Sequence, residues 1–204
     1  MTTRPPAPRR QGAAWTRVFE AATRLFYAEG VHAVGVDRII AEAGVAKATF
    51  YHHFPGKDDL VRAYIVEQSR LQRAIADQPG SASPREVIVA AFERMCRFGA
   101  DPGYRGCPFV NTAAEYPDAA HPVRRAIDEH RNWCRRLFRD LLIADGHPDP
   151  DRTAQTLLLL KDGLGVGFDL DDPAVVGAAV REAVTRLLDA GAHSAEVRAG
   201  DGAR

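Results

Sequence analysis

The segment Val34 to Leu60, VGVDRIIAEAGVAKATFYHHFPGKDDL, constrains this chain more than any other. Val36, Ile39, Ile40 and Ala43 recur at helical spacing and stop at Gly44. A second short helical segment runs from Lys47 to Phe54, and Pro55-Gly56 breaks it. Ala43-Gly44-Val45 joins the two, and glycine there can take the left-handed conformation that a sharp helix-to-helix turn requires. Ile39, Ile40, Val45, Phe50 and Phe54 can supply a small core that holds the pair at a fixed angle. With Phe50 pointing inward, Phe54 falls about 40° away at 100° per residue. Ala48, Thr49 and His52 then face outward. The second helix therefore has an apolar back, a small or polar front, and a first turn whose backbone N–H groups and Lys47 suit phosphate.

The charge distribution agrees. The whole chain is formally neutral. Residues 1–57 carry eight Arg and Lys against four Asp and Glu, whereas residues 58–204 carry nineteen against twenty-three. A basic N-terminal piece on a mildly acidic remainder fits a DNA-binding head on a body with another task.

The remaining periodicity is helical, and no stretch alternates as a strand would. Trp15, Val18, Phe19, Ala22, Leu25 and Phe26 mark a first helix ended by Gly30. A long helix opens at Lys57, with Asp58 and Asp59 in its first turn, and continues through Leu60, Tyr64, Leu71 and Ile75 to about residue 76. Further helices are expected near 84–99, 106–116, 121–144, 150–168 and 173–191. The class is all-α.

The run AGVAKATFYHHFPGKDDL resembles the signature of the TetR family: an Ala-Gly-Val turn, a short recognition helix ending in Tyr-x-x-Phe, and a lysine opening the fourth helix. The match covers roughly residues 12–60. The resemblance implies an N-terminal three-helix DNA-binding domain with a helix-turn-helix and a C-terminal helical domain for ligand binding and dimerisation, about nine helices in all. The corresponding divisions are a disordered arm at 1–9, the DNA-binding domain at 10–56, the second domain at 57–191 and a flexible tail at 192–204. It further implies a homodimer on double-stranded, palindromic operator DNA, most often a repressor released by a small-molecule effector.

The family's DNA-contacting positions fall on Lys47, Ala48, Thr49, Tyr51, His52, His53 and Lys57. Thr49 and His52 would face base edges. The Tyr51 hydroxyl, His53 and Lys57 would meet the backbone. Two positions depart from the pattern. Gly35-Val36 stands where a capping Thr or Ser is common, and Ala46 replaces the usual capping Ser, so both helix starts lose a hydroxyl. Arg38, or Arg9 and Arg10, could compensate. Against this reading, the same cations could form a solvated face. His52 and His53 cannot readily share a metal ion, since neighbours on a helix point about 100° apart.

The body is less explicit. Candidate ligand-pocket residues are Phe92, Met95, Cys107, Phe109, Thr112, Trp133, Leu137 and Phe168. Arg105-Gly106-Cys107-Pro108 resembles a branch of the family in which some members sense electrophiles through a cysteine after a glycine. The plainer reading makes Cys107 a small buried apolar residue. His130 and Cys134 share a helix face and could ligate a metal, but packing is the simpler role. The last two helices carry Leu157, Leu160, Leu164, Gly167, Val175 and Ala178, an apolar and small-residue set expected at the dimer interface.

Other classes are disfavoured. Three cysteines without CxxC spacing give neither a disulfide framework nor a structural zinc site. No apolar run approaches the roughly 18 residues of a membrane span, and the first residues lack a signal's apolar core. A cytoplasmic protein without cofactor is expected. No nucleophile with base and orienter, HExxH or phosphate-cradling loop supports an enzyme. A helix-turn-helix kept only for protein contacts would differ by failing to shift DNA in a gel.

Overall fold

The computed structural model describes residues 12–77 and 82–201, with side chains as far as 190. Among them the regular elements are all helical: α1 (Ala13–Glu29), α2 (Val36–Ala43), α3 (Lys47–His53), α4 (Lys57–Ala76), α5 (Pro84–Gly99), α6 (Pro108–Glu115), α7 (Pro122–Ala144), α8 (Pro150–Leu170) and α9 (Pro173–Asp201). The arm at 1–9 and Arg10 lie outside the described residues. The ninth helix continues to Asp201, past the end expected at 191, in an Ala-rich stretch with no proline after Pro173 to stop it.

Prolines and glycines place most boundaries. Gly44 adopts φ 60 and ψ 43, and its N–H returns to Ile40 and Ala41, which turns the chain from α2 into α3. Gly106 has φ 85, Cys107 is the N-cap, and Pro108 takes the first turn, where its missing N–H costs nothing. The sixth helix thus starts two residues later than its spacing suggested. Ser83 and Glu86 cap α5 reciprocally.

The hydrophobic cores do not follow the division at residue 56. One core joins Val18, Leu25, Ile39, Phe50 and Phe54 to Leu60, Val61, Tyr64 and Ile65 of α4. It continues into Phe109, Tyr116, Val123 and Ile127 of α6, its following turn and α7. The head is therefore fused to the body by shared apolar packing. The second core combines Ile88 and Phe92 of α5 with Phe138 and Leu142, with Leu157, Leu164 and Phe168 of α8, and with Val184 and Leu188 of α9. At Gly99 a Cβ would come within 2.3 Å of the Phe168 ring, so glycine is what lets α5 meet α8.

His130 of α7 holds the α4–α7 contact. Its ring stacks on Phe109 with centroids 3.7 Å apart and 7° between planes. Arg73 Nε donates to Ser69 Oγ (3.1 Å), which leaves the Ser69 hydroxyl hydrogen free for His130 Nδ1 (3.1 Å). Nε2–H then points to Cys134 Sγ at 3.4 Å. Burial first, then the nearby Lys161, Arg73 and Arg131, pushes the imidazole down to about 3, so it stays neutral. His130 and Cys134 form a packed, hydrogen-bonded pair.

Candidate nucleic-acid interface

Helix α3 sits on an aromatic base. Phe50 and Phe54 are buried, Trp15 stacks on Phe19 at 4.8 Å, and Trp15 meets Phe54 at 5.7 Å. With those rings inward, Lys47, Ala48 and His52 are exposed and Thr49 is half-exposed on the opposite side. Tyr51 rests edge-on against Phe50 (5.2 Å, 83°) yet keeps 45% of its surface in solvent. An apolar helix back that fixes a small, polar front is what presenting side chains to a DNA groove requires.

None of the first four helices starts with a side-chain cap: Gly12, Gly35, Ala46 and Gly56 precede α1 to α4. In the body Ser83, His121 and Asp149 cap α5, α7 and α8 through their side chains, whereas α6 starts at Cys107 without one. Gly and Ala at the first four positions supply no side-chain acceptor to the first-turn N–H groups.

The cations around α3 are engaged but exchangeable. Lys47 Nζ lies 3.1 Å from Asp37 Oδ1 with both side chains mostly exposed. Such a pair contributes little and can be traded for phosphate. Arg38 pairs in bidentate fashion with Glu29, again with both side chains exposed. Lys57 Nζ donates to the His32 carbonyl (3.5 Å), and burial pulls its amine below the ordinary lysine range. His53 is half-buried with its ring 5.1 Å from that of His52. Sequence reasoning missed Arg17, whose Nε donates to the Ala43 carbonyl (3.2 Å) at the end of α2. It also missed Glu115, which accepts from the amides of Val31 and His32.

Five of the eight candidate pocket residues belong to the two cores. Phe109 and half-buried Cys107 belong with the first core, whereas Phe92, Met95 and Phe168 belong with the second. Thr112 is buried, Trp133 lies under the Arg73 guanidinium at 5.0 Å, and Leu137 is half-buried. Cys107 packs against α8, where a Cβ on Gly165 would approach its own Cβ to 2.9 Å.

The expected dimer residues also divide. Leu157 and Leu164 are buried within the chain's own core and cannot supply interface area, because α8 turns that face toward α5 and α7. Leu160 packs partly on the same core, and a Cβ on Gly167 would meet Val176 at 3.2 Å. Val175 and Ala178 are exposed. The free apolar stripe of α8 is instead Leu159, Gly163, Val166 and Leu170, at i, i+4, i+7 and i+11.

Known proteins share this arrangement. Residues 18–64 match the model for bacterial regulatory proteins of the tetR family, and residues 84–181 match the model for a tetracyclin repressor-like C-terminal domain. The crystal structure of SCO4454, a TetR-family transcriptional regulator from Streptomyces coelicolor, superposes with a TM-score of 0.82 at 39% identity, covering 89% of this chain and 97% of that one. The HTH-type transcriptional regulator LmrA of Bacillus subtilis is 31% identical over 122 residues, 57% of this chain and 65% of its own length. The transcriptional regulator AcuR of Cereibacter sphaeroides is 36% identical over 137 residues, 59% of this chain and 61% of its own. Among the described residues no helix is long and apolar enough to cross a membrane. With its helix-turn-helix, its helical body and these relatives, the chain belongs to the TetR family of DNA-binding transcriptional regulators.

Proposed function

We propose that this regulator is a cytoplasmic repressor that grips a palindromic operator as a homodimer and leaves it when a small molecule binds the body. The observation that carries the DNA half is the outward face of α3, with Ala48, Thr49 and His52 held by buried Phe50 and Phe54. Thr49 and His52 read base edges in the major groove. Lys47, Tyr51, His53, Lys57 and the uncapped helix starts hold phosphates. No cofactor takes part.

The dimer surface is the exposed stripe Leu159, Gly163, Val166 and Leu170 of α8 together with Val175 and Ala178 of α9. Gly163 has open space around the position of a Cβ, so a partner helix can approach closely there. The effector enters the body along α7, beside the two cores to which Phe109 on one side and Phe92, Met95 and Phe168 on the other belong. Binding there favours a state with another spacing of the recognition helices and so lowers DNA affinity. Selection by the protein from a randomised duplex pool is expected to yield a two-fold symmetric site. Its half-sites should lie one helical turn apart, about 34–36 Å, or a whole number of turns. A pool that enriches no common site would overturn this function.

A further inference from the structure

The end of α6 carries an acidic residue, Glu115, at the place where a carboxylate is least favoured. The carbonyl end of a helix is negative, so an acid there opposes the local field. What it gains is contact with the head. Glu115 Oε1 accepts from the Val31 amide at 2.8 Å, and Oε2 accepts from the His32 amide. Gly30, with φ 89, brings the turn so close that a Cβ there would lie 3.4 Å from the same carboxylate. Val31 is almost wholly buried, so its amide depends on this acceptor in place of water. Two adjacent amides on one carboxylate make a charge-assisted pair of bonds, stronger than neutral ones.

The turn so held connects α1 to α2, the first helix of the helix-turn-helix. Its other side is tied to α4, since the His32 carbonyl accepts from Lys57 Nζ. The next residue of the body takes the next residue of α4. Tyr116 donates its hydroxyl to Asp58 Oδ1 (2.7 Å), and His121 Nε2 lies 3.3 Å from Asp58 Oδ2. Consecutive residues at the end of α6 therefore grip the two pieces of the head that frame α2 and α3. At its other end α6 is preceded by the N-cap Cys107 and carries Phe109, stacked on His130.

We propose that Glu115 is the positioning residue that sets the pose of the reading head on the body, with Tyr116 as its second grip. This rests on the proposed DNA-binding function. The expected consequence of loosening the grip is a loss of sequence discrimination rather than of general DNA affinity. A loosened head still meets phosphates but no longer holds two recognition helices in register.

The test compares Glu115→Gln, Glu115→Ala and Tyr116→Phe with the full-length wild type. The probes are the duplex selected by the wild type and a scrambled duplex of equal length. The expected result for Glu115→Ala is a fall of roughly tenfold or more in the ratio of selected to scrambled affinity, about the effect of one good base-specific interaction. Affinity for the scrambled duplex should stay within about twofold, since the phosphate-binding groups are untouched. Faster amide exchange should be confined to the turn between α1 and α2. Glu115→Gln, which keeps one acceptor, and Tyr116→Phe should fall in between, and they carry the test if the alanine variant does not fold. An unchanged ratio, or equal losses on both duplexes, overturns the proposal. A wild type that prefers no duplex removes the underlying function itself, a result distinct from a wild type that discriminates and variants that do so equally well.

Discussion

Phe50→Ala is expected to lower stability by about 3–5 kcal/mol and to abolish operator binding. Phe50 is fully buried and touches Phe54 at a ring distance of 6.0 Å and Tyr51 at 5.2 Å. Removing its ring empties the middle of the support for α3, and a seven-residue helix has no cohesion of its own to fall back on. The same core reaches through Tyr64 and Ile65 to α6 and α7, so the damage should not stay within the head. Against typical totals of about 5–15 kcal/mol, such a loss is a large fraction. Thermal unfolding of the variant beside a gel shift checks both parts. A stable Phe50→Ala protein that still shifts the operator would show that α3 is held by something other than this core.

The second large effect concerns assembly. Val166→Glu combined with Leu170→Glu places charges on the exposed apolar stripe of α8 without touching the buried Leu157 and Leu164. Unpaired carboxylates in a closed apolar interface are costly to desolvate, so the variant should not dimerise. Light scattering should then report the 22.3 kDa of one chain, where the wild type reports twice that. Operator affinity should drop about 10²–10⁴-fold, because the second recognition helix is no longer delivered by the first. A variant that remains dimeric would place the interface elsewhere.

The features legible in the sequence are those governed by local chemistry. Gly44, Pro55-Gly56 and the Phe50/Phe54 pairing mark the helix-turn-helix because turn conformation and helical period depend on near neighbours. Most helix starts in the body are readable from Pro84, Pro150 and Pro173 for the same reason. Interactions across long sequence separations are not. Glu115 reaches back to Val31 and His32, and nothing in its own neighbourhood tells a surface acid from one that holds a turn. The partner of Arg38 is not visible in its own stretch of sequence because Glu29 lies on another helix. Leu157 and Leu164 look like interface residues because an apolar period does not say which of two apolar neighbours it faces. The burial pattern separates them from Leu159 and Val166. Aromatic and methionine candidates for a pocket scatter over two cores, since those residue types fill interiors far more often than they line a ligand.

In the proposed DNA complex α3 reads sequence while its flanks hold phosphate. The most direct measurement is affinity over a salt series on an operator panel with each base pair varied, for Thr49→Ala, His52→Ala and Lys57→Ala. Thr49→Ala or His52→Ala should cost about 1–3 kcal/mol at a specific base pair and relax preference there. Lys57→Ala should weaken binding to all duplexes and lower the salt slope by roughly one for each phosphate interaction removed. Losing its tie to the His32 carbonyl should lower the overall selected-to-scrambled ratio without changing preference at any single base pair. Tyr51→Phe should act as a milder version of Lys57→Ala. Thr49→Ala and His52→Ala variants that both leave the base-preference profile intact, with Lys57→Ala altering preference at single positions, would contradict these roles.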